Sequence, residues 1–200
     1  DDFSYRQFEY VDSDLAADKE VVLPLLSKQG RALEWASESL KQSKDVAMAA
    51  VSSNGDALED VYWEIRGDRE IVLAACRSER GNYTLSFVSD SAELMGDREI
   101  VLAAILQGGA ALQYASEDLR GDRELILAAV DANGHALNYA SENLKFDIEI
   151  VLRALNTTKS QGHEPREILE YVSEEVEADS KIQAFLEACD PQEEGFSSLF

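Results

Sequence analysis

Residues 96–147 read GDREIVLAAILQGGAALQYASEDLRGDRELILAAVDANGHALNYASENLKFD. One pattern is written twice: DREIVLAA then ALQYASEDL, and DRELILAA then ALNYASENL. Asp97, Asp122 and Asp147 stand 25 residues apart. Outward from this core the spacing continues. Asp68 lies 29 residues before Asp97, and Ser43 and Asp18 follow at steps of 25. Asp179 lies 32 residues after Asp147. Six full repeats therefore occupy 18–178. Residues 1–17 contain FEYVDSDLAA, which matches the second half of a repeat and reads as an N-terminal half-repeat cap. Residues 179–200 hold a C-terminal half-repeat, DSKIQAFLEA, and a tail. Almost no linker is left over, so the spacing predicts no internal domain boundary.

Each repeat predicts two short helices. The first opens on Asp or Ser, whose side chain accepts from the free amides of the first turn. Glu70, Glu99 and Glu124, two residues on, suit the positive helix start. Dense apolar runs such as Ile100 to Leu106 cover more than one face, so this helix is expected to be buried on more than one side. Gly30, Gly55, Gly108 and Gly134 suit a stop and a turn. The second helix carries Leu112, Ala115 and Leu119 as one apolar stripe, closed by Gly67, Gly96 or Gly121. A helix of about ten residues is marginal alone in water. Stacking equivalent repeats lets the apolar faces cover one another. The expected fold is all-α: an α-solenoid of two-helix repeats of about 25 residues. Arg69, Arg98 and Arg123 recur at one position, which predicts a ladder of ion pairs between neighbouring repeats.

DREIVLAA followed by GxALxYASEDL resembles the repeat of the family catalogued as domain of unknown function 4116. The resemblance covers nearly the whole chain, with both half-motifs recurring in order. It implies tandem helical repeats and supplies no activity, no cofactor and no catalytic residues. The family is common in arrays from single-celled algae. With the start at Asp1 instead of Met, that distribution suggests a soluble organelle such as a plastid, reached with a targeting segment since removed.

The 200 residues are 45% hydrophobic, enough for a core, and carry a formal charge of −22. No apolar run reaches the 18 residues of a membrane-spanning helix. The charge repels phosphate backbones, so nucleic acid is not an expected partner, whereas a protein with a basic surface is. Cys76 and Cys189 make no disulfide framework. Asn82 and Asn156 open N-x-[ST] triplets, which matter only in a secreted protein.

Chemistry is sparse. His135 and His163 fall in predicted turns without metal-ligand spacing. There is no phosphate loop, nucleophile elbow or zinc motif. No catalytic, cofactor or metal residues are assigned. An enzyme with a carboxylate site in a groove of the array is one alternative. An acidic cation-binding module, centred on Glu174, Glu175, Glu177 and Asp179, is another.

The departures from the repeat are more informative. Val61, Tyr62 and Trp63 stand where other repeats have Ala-Ser-Glu, on the expected polar back of the second helix. Exposed Tyr62 and Trp63 would form a contact site. The competing reading is a repacking that buries Trp63, because Asp60 has displaced the usual aromatic (Trp35, Tyr114, Tyr139). The third repeat has four extra residues, two in SERGNY and two near Ser91 to Met95. The sixth has seven, all assigned to a turn, NTTKSQGHEP. The tail ends in Phe196, Leu199 and Phe200, which fold back or dock on a partner. The expected function is a non-catalytic protein-interaction or scaffold module, with Tyr62, Trp63, Phe196, Leu199 and Phe200 as partner-binding residues.

Overall fold

The computed structural model describes residues 13–78, 80–81 and 83–189. Among them every regular element is helical and none is a strand. Contacts divide the chain into two compact parts, Asp1–Leu119 and Arg120–Phe200. The even spacing gives no hint of this boundary, which falls at the last residue of a four-residue helix.

In the N-terminal part, long first helices α2 (Lys19–Leu26), α4 (Lys44–Ser53), α6 (Arg69–Arg77) and α8 (Arg98–Gln107) alternate with second halves. The first helices start where the Asp residues predict. Asp97 Oδ1 accepts from the amides of Glu99 and Ile100 at 2.9 and 3.2 Å. Asp68 does the same for Glu70 and Ile71. Ser43 departs from the expectation. It makes no side-chain cap, and its hydroxyl donates to Asp45 instead.

The second half of each repeat is not one helix. A 3-10 turn comes first: η1 (Gly30–Trp35), η2 (Gly55–Asp60), η3 (Thr84–Val88) and η4 (Gly109–Tyr114). A four-residue α-helix follows: α3 (Glu38–Lys41), α5 (Trp63–Arg66), α7 (Ala92–Met95) and α9 (Glu117–Arg120). Ahead of them, α1 (Ser13–Ala16) is the same short piece of the half-repeat. The break sits at Ala36, Val61 and Ala115, each with extended backbone at ψ 137–153°. In the repeats of regular length it serves the joint with the neighbouring repeat. Extending that residue aims the next amide at the last carbonyl of the preceding short helix. Ser37 donates to Ala16, Tyr62 to Lys41 and Ser116 to Met95, at 2.9–3.3 Å. A continuous helix would turn those amides inward and leave the carbonyls unpaired.

Burial follows the predicted pattern despite the break. Leu112, Ala115 and Leu119 are all buried, as are Ile100, Val101, Ala104 and Ile105 on α8. The same four positions of α4 and α6 are fully buried, from Val46 to Val51 and from Ile71 to Cys76. Leu33, Leu58 and Leu85 plug each 3-10 turn, and each buried Leu contributes about 1.5–3 kcal/mol of transfer free energy.

The glycines play a different part from the one expected. Among the described glycines only Gly162 has positive φ, at 81°. At Gly30 and Gly55 an added Cβ would overlap the carbonyl oxygens of Ala50 and Ala75 on the next first helix. They admit close packing between repeats.

The C-terminal part repeats the scheme with α10 (Arg123–Ala132), η5 (Gly134–Tyr139), α11 (Glu142–Lys145), α12 (Ile148–Ser160), η6 (Pro165–Tyr171), α13 (Glu174–Glu177) and α14 (Ser180–Glu187). Ser141 donates to the Arg120 carbonyl at 2.9 Å, and Gly134 packs on Ala154 as its counterparts do. The insertion in the sixth repeat is not all turn. Residues 158–160 extend α12 to 13 residues, three beyond the ten of α8 and α10. Thr157, the tenth residue of the helix, and Thr158, the first of the extension, are buried, and Thr158 Oγ1 donates back to the Ala154 carbonyl at 2.9 Å. The helix closes with amides of Gly162 and His163 reaching the carbonyls of Lys159 and Thr158 at 3.0 and 3.1 Å, a Schellman ending that requires the left-handed Gly162. In η6 the buried plug is Ile168, while Leu169, the residue at the matching register, is half-exposed.

Candidate functional site

The residues that repeat most strictly are occupied in holding repeats together. Arg123 Nε donates to Asp147 Oδ2 at 3.0 Å and its Nη2 to Glu149 Oε2 at 2.6 Å. Lys44 pairs with Asp68 at 2.9 Å and Glu70 at 2.8 Å, and Arg69 with Asp97 and Glu99, both at 2.7 Å. Lys19 reaches Asp45. The predicted rungs at Arg69 and Arg123 thus form, with lysines on further rungs where the sequence pattern pointed only to arginines. The cations hold Asp68, Asp97 and Glu99 below the usual carboxylate range. Asp45 is held at about 2, by Lys19 first and the Ser43 hydroxyl second.

What remains for function are the departures. At Trp63 the structure decides between burial and exposure: its side chain is 68% exposed. Val61 takes the buried place of the usual Ala, with no solvent exposure. Tyr62 is half-buried, and its ring lies 5.8 Å from the Trp63 ring at 39°. The pair opens α5, and the turn before it is pinned by Arg66. That guanidinium donates to the Glu59 carbonyl at 2.8 Å and the Val61 carbonyl at 2.9 and 3.1 Å. The aromatic pair is therefore presented by a braced turn.

Its surroundings are acidic. Glu64 is exposed on α5 itself, and the first turns of the short helices before and after it expose Glu38 and Glu93. Asp60, in the position of the missing aromatic, is half-buried. Burial, then the charges of Glu34 and Glu59, push its carboxyl up, against Lys41 and Arg31.

The two histidines, unlinked in sequence, come together in the C-terminal part. Their rings lie 6.1 Å apart edge to face. His135 Nδ1 is 3.0 Å from the Tyr171 hydroxyl and its Nε2 3.5 Å from Glu167. These contacts tie η5 to η6. Burial first, then Glu170 and Glu167, push the Tyr171 hydroxyl up. Among the described residues no group of three His, Cys, Asp or Glu could hold a metal ion.

Two open grooves, missed in the sequence, lie between successive first helices at equivalent register. One, of about 500 Å³, is lined by Met48, Leu73, Ala74 and Arg77. The other, of about 590 Å³, is lined by Leu152, Arg153, Asn156 and Phe185. The signal for them was the apolar residue five places after each opening Asp. Neither groove contains a histidine. Cys76 is a free, buried thiol pushed up to about 12 by burial, which leaves it unreactive. Cys189 is free as well. No helix among the described residues is long and apolar enough to cross a membrane. Phe196, Leu199, Phe200 and Asn82 lie outside the described residues.

A family model described as Domain of unknown function (DUF4116) matches the chain four times, over residues 18–66, 44–91, 68–120 and 122–177. Each match spans about two of the repeats. No curated protein and no solved structure matches the chain.

Proposed function

The chain belongs to the DUF4116 family, and on that premise we propose that it acts without catalysis, as a protein-interaction or scaffold module. It docks a partner with a basic surface through Tyr62 and Trp63. The observation that carries this reading is the exposure of Trp63 at a position that Glu38, Glu117 and Glu142 fill elsewhere. Residues kept from repeat to repeat serve stacking. An exposed indole in their place contributes nothing to stacking, and Trp and Tyr are the residues on which interfaces concentrate their binding energy. A charge of −22 favours a basic partner and speeds its encounter, the more so at low salt. Phe196, Leu199 and Phe200 belong to the same proposal as a second set of contacts.

The test is affinity capture with immobilised wild-type protein and the Trp63→Glu variant, which carries the residue of the regular repeats. At least one captured partner is expected to be held by the wild type and lost by the variant. Identical partner sets on both would remove Trp63 from the reading.

A further inference from the structure

The short helices are joined by the amide-to-carbonyl bond described above wherever a repeat keeps the 25-residue spacing. The third and the sixth repeats, which carry the insertions, lack it: no amide among the described residues reaches the carbonyl of Arg66 or of Lys145; of these two joints only the one at Arg66 has an exposed Trp on its short helix. In the third repeat two extra residues, Ser89 and Asp90, precede the cap of α7, and the Ser91 amide turns to the Val88 carbonyl at 3.0 Å. At every intact joint the acceptor is the last residue of the preceding short helix: Ala16, Lys41, Met95 or Arg120. The counterpart at this joint is Arg66, whose carbonyl receives no amide among the described residues. Its own guanidinium is turned inward to Glu59 and Val61. One helical turn away, roughly 5 Å along the axis, stands the exposed Trp63.

We propose that this open joint is a docking site for an arginine-bearing basic segment of a partner, with an arginine stacked on Trp63 and donating to the Arg66 carbonyl. The proposal rests on the reading of Trp63 as a contact residue and names the chemistry it recognises. Three features of the site select that chemistry. An indole is the best aromatic face for a cation. A carbonyl at a helix C-terminus carries partial negative charge and accepts hydrogen bonds only. Glu64, beside Trp63, and Glu38, on the helix before it, are exposed carboxylates. A guanidinium can stack by its plane and donate from its edge at the same time, which an ammonium cannot.

The test uses the whole chain and a synthetic nonapeptide of alternating Arg and Gly, with Lys-Gly and Glu-Gly versions. Binding is read by calorimetry at physiological salt and by the Trp63 indole N–H resonance. The Arg peptide is expected to shift that resonance and to bind at least about threefold more weakly to Trp63→Glu, with the Lys peptide weaker than the Arg peptide on the wild type. Trp63→Glu adds a negative charge. Diffuse attraction to an acidic protein would therefore tighten on the variant, the opposite sign to the proposal. Equal or tighter binding of the Arg peptide to Trp63→Glu, or an unmoved indole resonance, overturns it. That outcome leaves the capture experiment untouched: a partner lost there on Trp63→Glu would keep Trp63 as a contact of different chemistry.

Discussion

Arg69 and Asp97 stand 28 residues apart in sequence and meet at 2.7 Å, Nε to Oδ2. The other oxygen of Asp97 holds the amides that open α8. One carboxylate thus starts its own helix and receives the cation of the repeat before it. Glu99 accepts the second guanidinium edge at 2.7 Å. The DRE triplet is explained by this division: a cap, a reach forward and a reception from behind.

That division ranks two substitutions. Asp97→Ala removes the cap and the pair together and is expected to cost about 1 kcal/mol or more. Arg69→Ala removes two exposed ion pairs and no cap, so a smaller loss is expected. Urea denaturation of both variants checks the order; an equal or larger loss for Arg69→Ala contradicts it.

The ladder also sets a pH dependence. Asp45, Asp68, Asp97 and Glu99 have folded pKa values depressed by their cations. A depressed carboxylate stabilises the fold above its unfolded pKa, about 4, and loses that contribution as pH falls through the folded value, about 2 for Asp45. Wild type should therefore exceed a Lys19→Gln, Lys44→Gln, Arg69→Gln triple variant in urea midpoint at pH 6. The two should converge towards pH 2. A gap that persists at pH 2 would show that the cations act through packing instead.

Two glycines next to first-helix ends should respond oppositely to alanine. At Gly134 a Cβ would overlap the Ala154 carbonyl and Thr158 Oγ1, and forced displacement of backbone costs about 1–3 kcal/mol. At Gly108 nothing lies within 4 Å, and its φ of −173° is open to any residue. Gly108→Ala should be neutral or stabilise by about 0.4–1 kcal/mol through the unfolded chain. Thermal melts of the two variants decide it.

Gly162→Ala is expected to destabilise by roughly 1–2 kcal/mol, because the Schellman ending of α12 needs φ of 81°. Trp63→Glu is expected to change the melting temperature hardly at all, since an exposed first-turn site that makes no cap hydrogen bond lies within about ±0.5 kcal/mol. A large loss there would mean that the indole packs, against the docking role assigned to it.

Much of the fold was legible in the chain because its determinants are local. The Asp caps, the Glu two residues on and the four buried positions per first helix all act within a few residues, so the repeats and the all-α architecture follow from spacing alone. The ion pairs of Arg69 and Arg123 were legible too, since each follows an opening Asp and meets the opening Asp of the next repeat, Asp97 or Asp147, across repeats of different length.

What the tertiary structure decided is where groups from different repeats compete for one another. The stripe Leu112, Ala115 and Leu119 looks like one helix, but the Ser116 amide has a partner in Met95, 21 residues back, and the helix breaks to reach it. The stretch from Asn156 looks like a turn, but Thr157 and Thr158 find burial there and the helix continues to Ser160. Trp63 had two readings in sequence, and only the tertiary structure decided between them, burying Val61 and leaving the indole in solvent. Local chemistry starts and stops each helix, while an amide or a side chain chooses between partners only when the distant partner is in place.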